Sequence, residues 1–159
     1  MTGEGGGLKS LVIQSWQRLI NSGLARVTRL PAAIAGLNIV SNNAAGATAY
    51  CANYIQVIAA TAEERWVCGL KLGTPVVEAF YGDIVIATGA AGFEVNLATI
   101  PVGTDLFPVA EWAHPVIFLP QAIRVPVGSR LSVNIRKNTG ASLAGFNNCA
   151  VMTLEAIGT

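Results

Sequence analysis

The sequence is short of charge. Asp, Glu, Lys and Arg make up 12% of its 159 residues, roughly half the share of about 25% usual in a soluble domain. Ten Lys and Arg stand against nine Asp and Glu, a formal charge of +1, so no long-range field draws the chain to nucleic acid or to an anionic membrane. Neither is expected as a partner. Histidine is scarcer still: His114, before Pro115, is the only one. A cupin-like metal enzyme needs several histidines, and a serine or cysteine hydrolase needs a base with an orienting partner. No serine lies in a G-x-S-x-G elbow. The three cysteines, Cys51, Cys68 and Cys149, are widely spaced, with no C-x-x-C and no histidine pair to complete a zinc site. They read as buried thiols behaving as small hydrophobes, which points to folding in a reducing compartment. No spanning segment is expected either, because the longest charge-free stretch, Leu30 to Ala62, is broken by Asn38, Asn42, Asn43, Asn53 and Gln56. Met1 to Gly7 lacks the basic start of a secretory signal, and the apolar stretch after it is interrupted by Gln14, Gln17 and Arg18.

What is present is apolar material. Hydrophobic residues make up 52% and the mean hydropathy is +0.52, enough for one domain with its own core. With net charge near zero, such a surface tends to associate, so a homo-oligomer is expected, a trimer among the options. Residues 1–10 form a glycine-rich arm and residues 11–159 a single domain. Ordering glycine is entropically costly. The arm residues Gly3, Gly5, Gly6 and Gly7 therefore need a holding surface, and a neighbouring subunit is the natural one.

Along the chain, short β-prone runs alternate with Gly, Pro and Asn punctuation. Lys9 to Ile20 fits both a helical stripe and a strand face, and is read as strand. In Arg130 to Arg136, Leu131, Val133 and Ile135 alternate with Ser132, Asn134 and Arg136, which predicts one buried and one wet face. Pro126 and Gly128 mark a corner before it. Tyr81 to Thr88 and Glu94 to Ile100 form a hairpin through Gly89-Ala90-Ala91-Gly92. Further strands are expected at Tyr54 to Ala60, Trp66 to Leu72, Val116 to Leu119 and Ala150 to Ala156, with long crossings near residues 36–53 and 101–115. About eight strands in this arrangement predict an all-β antiparallel β-sandwich of jelly-roll type.

Candidate chemistry is sparse. Asp83, Glu94, Asp105 and Glu111 are the central carboxylates, and their spacing defines no glycosidase pair. Asp83 and Glu94 read as solvated or ladder-end groups. Gly89 to Gly92 lacks the Lys-Ser or Lys-Thr of a phosphate loop. Arg124, Arg130, Arg136 and Lys137 form a modest basic group without interleaved aromatics, which fits a solvated face or intersubunit ion pairs better than nucleic-acid binding. Neither a catalytic residue nor a metal ligand or cofactor is assigned. Trp66 reads as core, whereas Phe107 and Trp112, in the loop before Pro115, are candidates to anchor a partner.

The stretch from Tyr81 to Glu94, a strand running into Gly-Ala-Ala-Gly, is followed by Leu119 to Leu131, an apolar-Arg-apolar-Pro-x-Gly-Ser-Arg corner. Together they resemble a pattern in β-sandwich structural proteins of tailed bacteriophages. The resemblance implies a non-enzymatic virion component akin to jelly-roll capsid decoration or cement proteins, made in the host cytoplasm and placed on the capsid surface. Its partners would be its own copies and the major capsid protein or another virion protein. The alternative is a phage tail module that binds a receptor or carbohydrate, with Trp112 stacking on a sugar ring.

Overall fold

The computed structural model of the chain describes residues 18, 20–23, 25–32, 35–41, 49–76, 80–104, 115–137 and 144–156. Among these residues there are ten strands: β1 (Ala25–Leu30), β2 (Leu37–Ser41), β3 (Ile55–Ile58), β4 (Arg65–Lys71), β5 (Thr74–Pro75), β6 (Phe80–Thr88), β7 (Val95–Thr104), β8 (Val116–Val125), β9 (Leu131–Lys137) and β10 (Ala144–Ala156). Every ladder between them is antiparallel.

The pairing is nested. β1 and β2 both pair β10, β3 pairs β9, β4 pairs β8 and β6 pairs β7, so the chain is one long hairpin whose successive rungs fall alternately in two sheets. The ladders β10·β4 and β6·β9 then give the sheet orders β1-β10-β4-β8 and β3-β9-β6-β7, with β2 and β5 also on β10. This is the jelly-roll winding, and the chain is an all-β antiparallel sandwich. Ten strands replace the expected eight because β1 and β2 share one strand position along β10, while β5 continues the position of β4. Arg18, Ile20 and Asn21, by contrast, are helical. The Ser22 N–H donates to the Arg18 carbonyl (2.9 Å) and Gly23 closes the turn at φ 71°, so the end of the stretch read as strand is a helix C-terminus.

The core lies between the sheets. Leu30, Ile39, Val67, Leu70, Phe146 and Val151 from the first sheet pack with Ile84, Ile86, Ile100, Val133 and Ile135 from the second. Cys68 and Cys149 are buried free thiols, and burial pushes both up to about 11. Cys51 is half-buried. The expected hairpin is the β6–β7 pair, and the expected corner closes with Gly128 at φ 77° and the Ser129 N–H on the Pro126 carbonyl (3.2 Å). Val116 to Val125 is one strand, longer than the expected Val116 to Leu119, because its ladder with β4 resumes beyond a shift between Val67 and Gly69.

β9 departs from its expected wet face. Ser132 and Asn134 are both buried, because β9 is a central strand and the chain ahead of β3 lies along it, with Tyr50 bridged to Arg136. Asn134 works as a backbone surrogate there. Its Nδ2 donates to the Cys51 carbonyl (2.9 Å), and its Oδ1 accepts from the N–H groups of Cys51 (3.2 Å) and Ile135 (2.7 Å). Removing the carboxamide strands those buried groups. Asn134→Ala is therefore expected to lower stability by about 1–3 kcal/mol in urea denaturation, with the denaturant slope unchanged.

Candidate functional site

Among the described residues, negative charge is used in holding the chain together. Every carboxylate among the described residues faces an arginine. Asp83 accepts from Arg136 Nε (3.0 Å) and Nη2, Glu94 from Arg130 Nη1 (2.6 Å), and Glu64 from Arg124 Nε (2.7 Å). Arg65 bridges Glu63 (3.1 Å) and Glu155 (3.6 Å), and Arg26 reaches Glu155 (3.0 Å). Arg65 also donates to Thr28 Oγ1 (3.1 Å), which is hydrogen-bonded to Thr153 Oγ1 (2.8 Å). The Asp83 and Glu94 carboxylates are largely buried in these pairs rather than solvated, with Glu94 at the end of the β7 ladder as the second expected reading had it. Of the expected basic group, Arg124, Arg130 and Arg136, the first and last still well exposed, are the cationic half of three pairs within the chain. Lys137, the fourth member, is wholly buried. The Arg136 guanidinium in addition lies 5.2 Å from the centre of the Tyr50 ring, a cation–π contact.

The outer face of the first sheet is different in kind. Three rows cross it in register: Val27–Leu154–Trp66–Arg124, Arg29–Met152–Gly69–Phe118 and Ala150–Lys71–Val116. Val27, Trp66, Val116 and Phe118 are exposed, Trp66 by 41% and Phe118 by 51%. Trp66 is thus not core. Val67 and Leu70 hold the inward side of β4, and the register shift around Cys68 lets Trp66 and Gly69 share the outward side. The side chains expected to bind a partner, Gly3, Gly5, Gly6, Gly7, Phe107 and Trp112, lie outside the described residues.

Beside this apolar band β10 has a seam. Its lower half pairs β2 and β5 and its upper half β1 and β4, and between them the register shifts from Phe146 to Cys149 with Asn148 at φ 61°. A groove of about 350 Å³ opens there, lined among others by Arg29, Gly36, Lys71, Gly73, Asn148 and Ala150. Two glycines make it possible. A Cβ at Gly73 would stand 1.7 Å from the Asn147 carbonyl oxygen, and one at Gly36 would stand 2.6 Å from that of Cys149. Nothing local in the sequence announces this groove, since it arises from strands distant in the chain.

No family model matches the chain, and neither a curated protein nor a solved structure matches it. Among the described residues no group of three or more His, Cys, Asp and Glu side chains could hold a metal, and no helix is long and apolar enough to cross a membrane.

The ion pairs set a pH dependence. Arg130 holds the Glu94 carboxyl below its ordinary value, and Arg124 does the same for Glu64. A carboxylate depressed in the folded state stabilises the fold above its unfolded pKa of about 4.3 and loses that contribution as pH falls through the folded value. Calorimetric melting temperature should therefore be flat near neutrality and fall below about pH 4. Glu94→Gln should lower it at pH 7 and leave a shallower acid slope.

Proposed function

We propose that the protein is a non-enzymatic structural component of a virion, a capsid decoration or cement subunit that oligomerises and ties shell proteins together at the capsid surface. The observation that carries this reading is the exposure of Val27, Trp66, Val116 and Phe118 on the outer face of one sheet. Exposed large apolar side chains gathered on one face mark a contact surface, and aromatic side chains anchor such contacts. The jelly roll beneath it is a scaffold shared by viral shell proteins and lectins, so the fold is compatible with the reading without selecting it. The pairing of every described carboxylate with an arginine supports a cross-linking rather than a catalytic use of charge. Burial of the band contributes about 25 cal/mol per Å², and repetition over a lattice multiplies a weak single contact into stable attachment. The arm from Gly3 to Gly7 would extend the contact onto a neighbour.

Light scattering gives the mass of the purified protein alone. Sedimentation with undecorated shells assembled from the capsid protein encoded with it gives the stoichiometry of attachment. Saturable co-sedimentation in a regular ratio is expected, and Trp66→Ser with Phe118→Ser should weaken it while leaving the circular dichroism unchanged. A protein that ignores shells, or a double variant that attaches as well as the parent, overturns the assignment.

A further inference from the structure

We infer that the groove on the β10 seam is a binding site for a compact oxyanion, a carboxylate or a phosphate, held by Arg29 and Lys71. The inference stands apart from the virion reading, because it rests on the groove alone. Three observations converge. The first is charge. Each carboxylate among the described residues is already engaged by Arg26, Arg65, Arg124, Arg130 or Arg136. Arg29 and Lys71 have no carboxylate among them, and both line the same groove. The second is placement. Arg29 is opposite Met152 on one side of β10, and Lys71 is opposite Ala150 on the other. The register puts both on the outer face, with the small Ala150 side chain between them. Two cations of an otherwise nearly neutral chain thus face one concavity across a single strand.

The third observation is how the concavity is built. Both neighbours of β10 break at one level, β1 giving way to β2 and β4 to β5, and β10 itself shifts register there. Asn148 adopts the left-handed conformation and Gly36 lies at φ 64°, while any side chain at Gly73 would collide with the β10 backbone. Bulges and left-handed residues concentrated at one point are a device for shaping a site. The Asn148 N–H is spent on Asn38 Oδ1 (3.3 Å), so recognition falls to the two cationic side chains. An arginine fork matches the paired oxygens of carboxylate or phosphate, and a lysine supplies a compact second charge.

The test is a ¹H–¹⁵N NMR titration of the full 16.5 kDa chain, with sodium phosphate and sodium glutarate added separately at an ionic strength held constant with NaCl. The amides of Gly36, Gly73 and Ala150 report on the groove. Saturable shifts there with at least one anion are expected, at a dissociation constant on the order of 1 mM, and the anion that saturates identifies which oxyanion the groove takes. Arg29→Gln and Lys71→Gln should each weaken binding at least about fivefold. Arg18→Gln, which removes the same charge from a helical turn away from the groove, should not. The inference is overturned if neither anion saturates, or if Arg18→Gln weakens the response as much as the groove variants do.

Discussion

The β10 ladder is the constraint on which the rest of the molecule depends. At 13 residues it spans about 43 Å at the usual rise per residue, and no other strand of its sheet runs alongside it unbroken. β1 and β2 share one of its sides, β4 and β5 the other. Because β10 is also the last rung of the nested hairpin, its hydrogen bonds join the start of the folded chain to its end. They fix where the inner faces of β1, β2 and β4 meet the second sheet. The seam lies where two flanking strands end and two begin, and the central strand shifts register there between Phe146 and Cys149. The groove therefore sits on the same strand that closes the sandwich.

Sparse charge is used economically. Arg136 with Asp83 ties β9 to β6, and Arg124 with Glu64 ties β8 to the chain ahead of β4. Arg130 with Glu94 joins two turns at one end of the sandwich, where the Thr61 hydroxyl also donates to the Pro126 carbonyl (2.6 Å). The connections β3–β4, β6–β7 and β8–β9 are thereby fastened to one another. The four connections after Ser41, Val76, Thr104 and Lys137 leave from the opposite end. A sandwich so arranged has one tied end and one outer face carrying exposed apolar side chains, and the latter is the surface on which the structural-protein reading rests.

How much of this the sequence disclosed depended on range. The β6–β7 hairpin and the Pro126–Gly128 corner were legible because turn chemistry is local. β1 and β2 were not, since six and five residues carry too little periodicity to stand out, β2 inside the presumed crossing near residues 36–53 and β1 in the unassigned stretch before it. Strict alternation misled in β9. Ser132 and Asn134 of its polar set are buried, and only the three-dimensional pairing of Asn134 with Cys51 shows that a polar side chain there completes a ladder. Trp66 looked like core by type, but the bulge at Cys68 breaks the parity of β4 and turns the indole outward. The groove was invisible for the same reason: Arg29, Lys71 and Asn148 meet only through β10.

The most direct measurement is native-state hydrogen exchange on the amides of β10. If β10 is the spine, the amides of Val151, Thr153 and Leu154 exchange only with global unfolding and match the stability from denaturation, while Asn147 and Asn148 at the seam open more readily. Exchange of Val151, Thr153 and Leu154 as fast as that of the edge strands β1 and β8, well below the global free energy, would contradict it.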